Sequence, residues 1–314
     1  MAATRSLPID YETKARRPAD VSASKPCARL LSQARIITVE SDENAQGLDS
    51  ECAAFYSDAM RLLDENGIRF LLGGAYALCV YTGLARHTKD VDLFIQQTDL
   101  ERGLTVFEKN GYLAERTFPH WLAKVYRGEN YVDLIYATGN GLGVVDDSWF
   151  ARSQESEFLD RQVNVMAPEE IIWMKAFIQE RERYDGADIA HLIRSCGETL
   201  DWPHLRKRFG RDWRVLLSFL VLFGYIYPSE RQRVPLELWR ELAELMAREQ
   251  ETPFSDRVCR GTFLSRAQFL PDITELGYRD ARLEPRTTMT EKDVDHWTAA
   301  IEETNRTHVT KSCG

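Results

Sequence analysis

The sequence predicts a mixed α/β fold, a sheet of parallel and antiparallel strands flanked by helices, followed by a C-terminal helical domain. Three observations carry this prediction. A helix, a strand, a glycine pair, a second helix and a second strand succeed one another between residues 49 and 95. Two further strand-like runs, Leu122 to Tyr126 and Tyr131 to Tyr136, flank Arg127-Gly128-Glu129-Asn130, which reads as a hairpin turn. Beyond Pro168 the apolar residues keep helical spacing only.

The elements follow in order. Residues 1–47 mix Pro, Ser, Ala and charges of both signs without a sustained apolar period, and read as a poorly ordered arm. Phe55, Ala59, Leu62 and Leu63 recur at helical spacing, and Asn66-Gly67 stops that helix before a strand from Ile68 to Leu72. After Gly73-Gly74 come a short apolar helix, Ala75 to Tyr81, and an alternating strand, Asp90 to Ile95. Thr98 and Asp99 can cap a helix to about Asn110, and Phe158 to Met166 reads as a last edge strand.

Pro168-Glu169-Glu170 opens a helix expected to run to about Arg183, because Pro fits the first helical position and acids suit the positive helix end. Helical segments near 187–196, 203–208, 212–227 and 235–249 are punctuated by Pro203, Pro228, Pro235 and Pro253, and Glu291 to Arg306 reads as a closing amphipathic helix. The expected units are the arm (1–47), an α/β core (48–166), a helical domain (167–280) and a terminal helix and tail (281–314). Trp213, Leu217, Leu220 and Phe223 are expected in the helical core.

Bulk properties exclude several functions. No apolar run reaches the roughly 18 to 20 residues that cross a bilayer, and the N-terminus has no apolar signal region, so the chain is expected in the cytoplasm. Six cysteines without a C-x-x-C pair and six histidines without a ligand spacing leave carboxylates as the metal ligands. A net charge of -9 argues against extended nucleic-acid binding. The basic run from His204 to Arg214 reads either as a contact for RNA or, more simply, as a solvated helix face. Asn305-Arg306-Thr307 has the form of a glycosylation sequon but is not expected to be used in a cytoplasmic chain.

The chemistry concentrates between Gly73 and Asp133. Residues two apart in a strand share a face, so Asp90 and Asp92 project side by side. Two adjacent carboxylates repel unless a cation sits between them, and oxygen-only ligands suit magnesium or manganese. A strand running into Gly73-Gly74 and then a helix presents exposed backbone and a positive helix end, which suit a phosphate. Asp133 lies in an apolar strand, where an unpaired carboxylate is costly and needs a partner.

On these residues the segment resembles the nucleotidyltransferase superfamily, which includes DNA polymerase beta, the aminoglycoside nucleotidyltransferases and minimal bacterial transferases. The resemblance implies a nucleotidyltransferase-type mixed sheet. It implies roles for Gly73 and Gly74 in the phosphate-binding turn, for Asp90 and Asp92 as the metal pair, and for Asp133 as the third acid, orienting the attacking hydroxyl. The longer string Gly-Gly-Ala, Arg86-x-Thr88-x-Asp90-x-Asp92, Pro168-Glu169-Glu170, Lys175-Ala176-Phe177 and Arg181 to Asp188 resembles bacterial transferases related to the AbiEii toxins.

That second likeness brings Arg86, Thr88, Lys89, Lys175 and Asp188 into the expected nucleotide site, with Arg86 and Lys89 or Lys175 neutralising a triphosphate. The implied reaction transfers a nucleoside monophosphate to an acceptor hydroxyl on a small molecule, a protein or a tRNA end, releasing pyrophosphate. Two alternatives stand beside it: a non-catalytic nucleotide-binding or interaction protein of the same fold, and a toxin held in check by an antitoxin partner. The chain departs from the superfamily pattern in two ways. Gly74 stands where many members have Ser, and fifteen residues, 75 to 89, separate it from Asp90, which an extended connecting helix would account for.

Overall fold

The computed structural model of the protein describes residues 48, 50–84, 88, 90–252 and 254–300. The arm before residue 48, Arg86, Lys89, the sequon at Asn305 and the end of the closing helix lie outside the described residues. Inside the sheet lies β1 (Phe70–Leu72), whose three residues are all buried, as expected of a strand covered on both faces. β2 (Asp90–Ile95) pairs with it antiparallel, setting Leu72 opposite Leu93. On the other side β7 (Arg161–Val165) pairs with β1 in parallel.

β5 (Asn130–Ile135) lies parallel to β2, and β4 (Leu122–Arg127) runs back along β5 from the tight turn at Gly128-Glu129. β3 (Leu113–Phe118) and β6 (Gln154–Phe158) form the two edges, giving a seven-stranded mixed sheet in the order β3-β4-β5-β2-β1-β7-β6.

Local sequence accounts for the elements around the glycine pair. α1 (Ser50–Glu65) buries Phe55, Ala59, Leu62 and Leu63, the set its period predicts. It stops at Asn66-Gly67, where the Asn66 side-chain amide donates to Leu62 O at 2.8 Å and Gly67 N donates to Asp64 O at 2.9 Å. α2 (Gly74–Thr82) occupies the nine residues after β1 and ends at Gly83, whose φ of 68° is a left-handed cap. The long interval between Gly74 and Asp90 therefore does not lengthen the helix, correcting that expectation. α3 (Leu100–Lys109) follows a single 3-10 turn and packs against α1 and β3.

Three other expectations are corrected. β3 went unrecognised because its pattern of exposed and half-buried residues, Leu-Ala-Glu-Arg-Thr-Phe, carries no clean apolar alternation. The strand expected from Phe158 to Met166 is β7, but it is not the edge: β6 precedes it and pairs with it as a hairpin. Its turn residues are Leu159 and Asp160, both with positive φ (50° and 56°), a role for which the usual signal is Asn-Gly. Third, α5 (Pro168–Ala176) ends seven residues before Arg183. Gln179 N donates instead to Leu264 O at 3.0 Å, and Glu180 takes hydrogen bonds from Ser265 and Arg266, so tertiary partners replace the next helical turn.

α6 (Gly186–Cys196) packs on both α2 and α5, so the helical half is joined to the sheet by one continuous apolar core. α8 (Trp213–Ile226) buries Trp213, Leu216, Leu220 and Phe223, with Leu217 half-buried against them. The basic run His204 to Arg214 is divided: Lys207, Arg211 and Arg214 are exposed, as a solvated face requires, whereas His204 and Arg208 turn inward, which corrects that reading for these two. Glu170, 1% exposed, is held by His204 Nε2 at 2.9 Å and by Arg208 Nε at 2.6 Å, and Arg208 also stacks 4.0 Å above Trp173. Arg206 and Arg214 pair with Glu241 and Glu249 of α9 (Leu236–Glu251). The acids after Pro168 therefore anchor α7 (Trp202–Phe209); Glu169 does so by accepting from Asp201 N at 2.7 Å. Among the described residues no helix is long and apolar enough to cross a membrane.

Candidate active site

β2 alternates half-buried Asp90 and Asp92 with buried Val91 and Leu93, so the two acids share one face of the sheet. The parallel register with β5 sets Asp92 opposite Asp133 and Asp90 opposite Tyr131. One strand further on, Lys124 of β4 stands opposite Asp133, and its Nζ donates to Asp133 Oδ1 at 2.6 Å while lying 3.9 Å from the Tyr131 ring centre. A row of Lys124, Asp133 and Asp92 thus crosses three neighbouring strands. The Thr88 hydroxyl donates to Asp90 Oδ1.

The glycine pair meets this row from the end of β1. Gly73 N donates to Asp92 O at 2.9 Å, and Gly73 is also the N-cap of α2, with no side-chain hydrogen bond at that cap. Gly74 has φ 56°, and a Cβ there would stand 1.7 Å from Asp92 Oδ2. The Asp92 carboxylate therefore lies directly against the first residue of α2, where free amides and the helix dipole favour negative charge. Gly74 replaces the Ser of many superfamily members because the left-handed backbone and the abutting carboxylate exclude any side chain. At Gly73 a Cβ would stand 2.2 Å from the Phe94 ring.

Electrostatics make Asp92 and Asp133 unusual. Burial, then the negative charges of Asp90 and Asp133, push Asp92 up to about 7 against the opposing pull of Lys175 and Arg183. Burial likewise raises Asp133 to about 6, although Lys124 works against it. Among the described residues no three acid, histidine or cysteine side chains already converge on one point as a closed metal cage. Lys124 occupies one oxygen of Asp133, and Thr88 one of Asp90. The donor set nonetheless fits a hard divalent ion: three carboxylates on two adjacent strands, one face, and a mutual repulsion that a cation relieves.

Lys175 and Asp188, expected from the sequence, meet here, and Asp185 joins them. Lys175 Nζ lies 2.7 Å from Asp185 Oδ2 and 2.8 Å from Asp188 Oδ2, while Arg183 closes on Asp185 with two bonds of 3.1 Å. Although burial opposes it, Arg183 and Lys175 hold the Asp185 carboxyl below the usual carboxylate range. Asp188 is 3% exposed and faces Lys175. Sequence reasoning missed Lys124, Arg183 and Asp185. Lys124 was detectable as a charge at an interior position of Leu122-Ala-Lys-Val-Tyr, and Asp185 as a third charge beside Lys175 and Asp188.

Beside the row of acids opens a cavity of about 440 Å³, with Lys124 and Arg183 in its lining and walls that include Trp121, Trp173, Phe177 and Trp297.

A protein-family model described as "uncharacterised nucleotidyltransferase" matches residues 41–223, more than half of the chain, including the glycine pair, Asp90, Asp92, Asp133 and the cluster from Lys175 to Asp188. The chain belongs to this nucleotidyltransferase family. Solved structures with a similar fold include the antibiotic-resistance factor ANT(2'')-Ia, 16% identical, covering 55% of this chain and 97% of that one with a TM-score of 0.40. Others are the lincosamide antibiotic adenylyltransferase LnuA (19%, 46% and 96%, TM-score 0.34) and a nucleotidyltransferase-like protein from Paracoccidioides brasiliensis (20%, 60% and 95%, TM-score 0.38). Likenesses this distant carry no information about substrate. No curated protein matches the chain.

Proposed function

We propose that this nucleotidyltransferase moves a nucleoside monophosphate from a nucleoside triphosphate to an acceptor hydroxyl, with Asp90, Asp92 and Asp133 holding magnesium or manganese. The observation that carries the reading is the register of β2 against β5, which puts Asp92 beside Asp133 with Asp90 one step along the same face, at the N-terminus of α2. Bound metal would neutralise the three carboxylates and withdraw charge from the reacting phosphate.

The chain supplies the rest. Backbone amides at Gly73, Gly74 and the first turn of α2 receive the phosphates. Lys175 and Arg183, whose charges already act on Asp92, neutralise the triphosphate, with Arg86 and Lys89 as further candidates from the sequence. Asp185 and Asp188 hold Lys175 in place rather than touching nucleotide. Thr88 orients Asp90, and Lys124 orients Asp133.

In the transfer the acceptor oxygen forms a bond to the α-phosphorus and loses its proton to Asp133. The bond from the α-phosphorus to the bridging oxygen breaks, and its electron pair leaves with pyrophosphate.

Pyrophosphate release from the four nucleoside triphosphates, with magnesium or manganese and cell extract as acceptor, tests the reading. Release that disappears in the Asp90→Asn/Asp92→Asn variant supports it. Triphosphate binding without any release makes the protein a non-catalytic nucleotide binder, and release undiminished in the variant removes the site assignment.

A further inference from the structure

Resting on that reading of the acids, we infer that the aromatic cavity beside them is the acceptor site, and that it takes a small, flat, largely apolar, uncharged hydroxyl compound. Size excludes a folded macromolecule. At about 440 Å³ the cavity sits at the small end of the range that drug-sized ligands occupy. Its walls come from Phe118 and Trp121, whose rings stack with centroids 5.8 Å apart, and from Trp173, Phe177, Phe263 and Trp297. Flat aromatic surfaces on several sides favour a ring system by offset and edge contacts.

Position gives the hydroxyl its place. Lys124 lines the cavity and donates to Asp133, which sets the cavity one side chain away from the acids.

Charge decides between classes of small alcohol. Each cation of the lining is already paired with an acid: Lys124 with Asp133, Arg183 with Asp185 and Arg266 with Glu180. Glu180 is already satisfied by the Ser265 hydroxyl at 2.6 Å, by Arg266 N at 3.1 Å and by Arg266 Nε at 2.9 Å. That leaves Glu182 as the lining acid without an ion-pair partner among the described residues, so the cavity offers no spare cation for an anionic ligand and too few acids to hold a polycation such as an aminocyclitol antibiotic. The wall formed by Phe263, Leu264, Arg266 and Trp297 lies beyond residue 223, where the family match ends, so part of the cavity is built outside the matched segment.

The test is equilibrium dialysis of the full chain against 2-naphthol and, in parallel, tobramycin, with magnesium–triphosphate binding measured separately. The account expects saturable 2-naphthol binding, no saturable tobramycin binding, and 2-naphthol affinity about tenfold weaker in Leu264→Trp, which fills the cavity. Ile178→Trp, from a different wall, serves where Leu264→Trp does not fold and carries the same expectation. Tobramycin binding as tight as 2-naphthol, no 2-naphthol binding, or wild-type affinity in the cavity-filling variant overturns the inference. Failure of triphosphate binding alone overturns the nucleotidyltransfer reading of the acids and leaves the dialysis result to stand by itself.

Discussion

Replacing Gly74 by alanine tests the packing at the heart of the site, and Gly83→Ala provides its control. Both glycines have left-handed backbone, φ 56° and 68°, so each substitution incurs the same conformational penalty of about 1–2 kcal/mol. At Gly83 a Cβ meets nothing within 4 Å, whereas at Gly74 it would stand 1.7 Å from Asp92 Oδ2 and 2.7 Å from Asp92 Cγ. Gly83→Ala should therefore lower the melting temperature by roughly 3–6 °C, taking about 3 °C per kcal/mol for a chain of this size. Gly74→Ala should lower it further and displace the Asp92 carboxylate. A displacement of an ångström at a reacting centre costs about a hundredfold in rate. Thermal unfolding and initial-rate pyrophosphate release would be measured on both variants. Gly74→Ala should lose about a hundredfold of activity and Gly83→Ala less than about threefold. Equal activity losses in the two would refute the contact between Gly74 and Asp92.

Other perturbations have outcomes that follow from the same geometry. Lys124→Met leaves Asp133, with a side chain only 11% exposed, without its cation; unfolding in urea should show a loss of about 3 kcal/mol. Activity should fall with it. Lys175→Met removes the cation that buried Asp185 and Asp188 share, leaving Arg183 on Asp185, and should cost about 3 kcal/mol, with Lys175→Met/Asp185→Asn recovering part of that loss. His120 is buried, its Nε2 on Gly139 O at 3.0 Å, and burial holds its pKa below the ordinary 6.5. Because the folded pKa is depressed, the contribution of His120 is complete above pH 6.5 and is lost as pH falls from there toward the folded value. His120→Gln should flatten the stability profile between about pH 7 and 5, as read from urea midpoints. Glu170→Ala, which leaves His204 and Arg208 facing an empty position, should lower stability by about 3–5 kcal/mol without abolishing triphosphate binding.

The parts of the fold legible in the sequence were those with a local signal. α1, β1, β2 and the β4–β5 hairpin each announce themselves by apolar period or turn residues, and Asp90, Asp92 and Gly73-Gly74 by their order along the chain. What escaped depended on contacts far apart in sequence. The early end of α5 is set by Leu264 and Arg266, more than eighty residues away. The turn at Leu159-Asp160 carries no glycine, so β6 on its far side escaped while β7 was legible. Lys124 became a site residue only through the β4–β5 register, and the inward faces of His204 and Arg208 only through Glu170. The cavity was invisible because its walls come from segments between Phe118 and Trp297 that share no local pattern.

The central claim is that Asp90, Asp92 and Asp133 form a divalent-metal and triphosphate site. Manganese binding followed by electron paramagnetic resonance, in the full chain with and without a nucleoside triphosphate, tests it most directly. The account predicts that free manganese falls as protein is added, more so with triphosphate present, and that this uptake is lost in Asp90→Asn/Asp92→Asn while the variant stays folded. Uptake unchanged in that variant would contradict it.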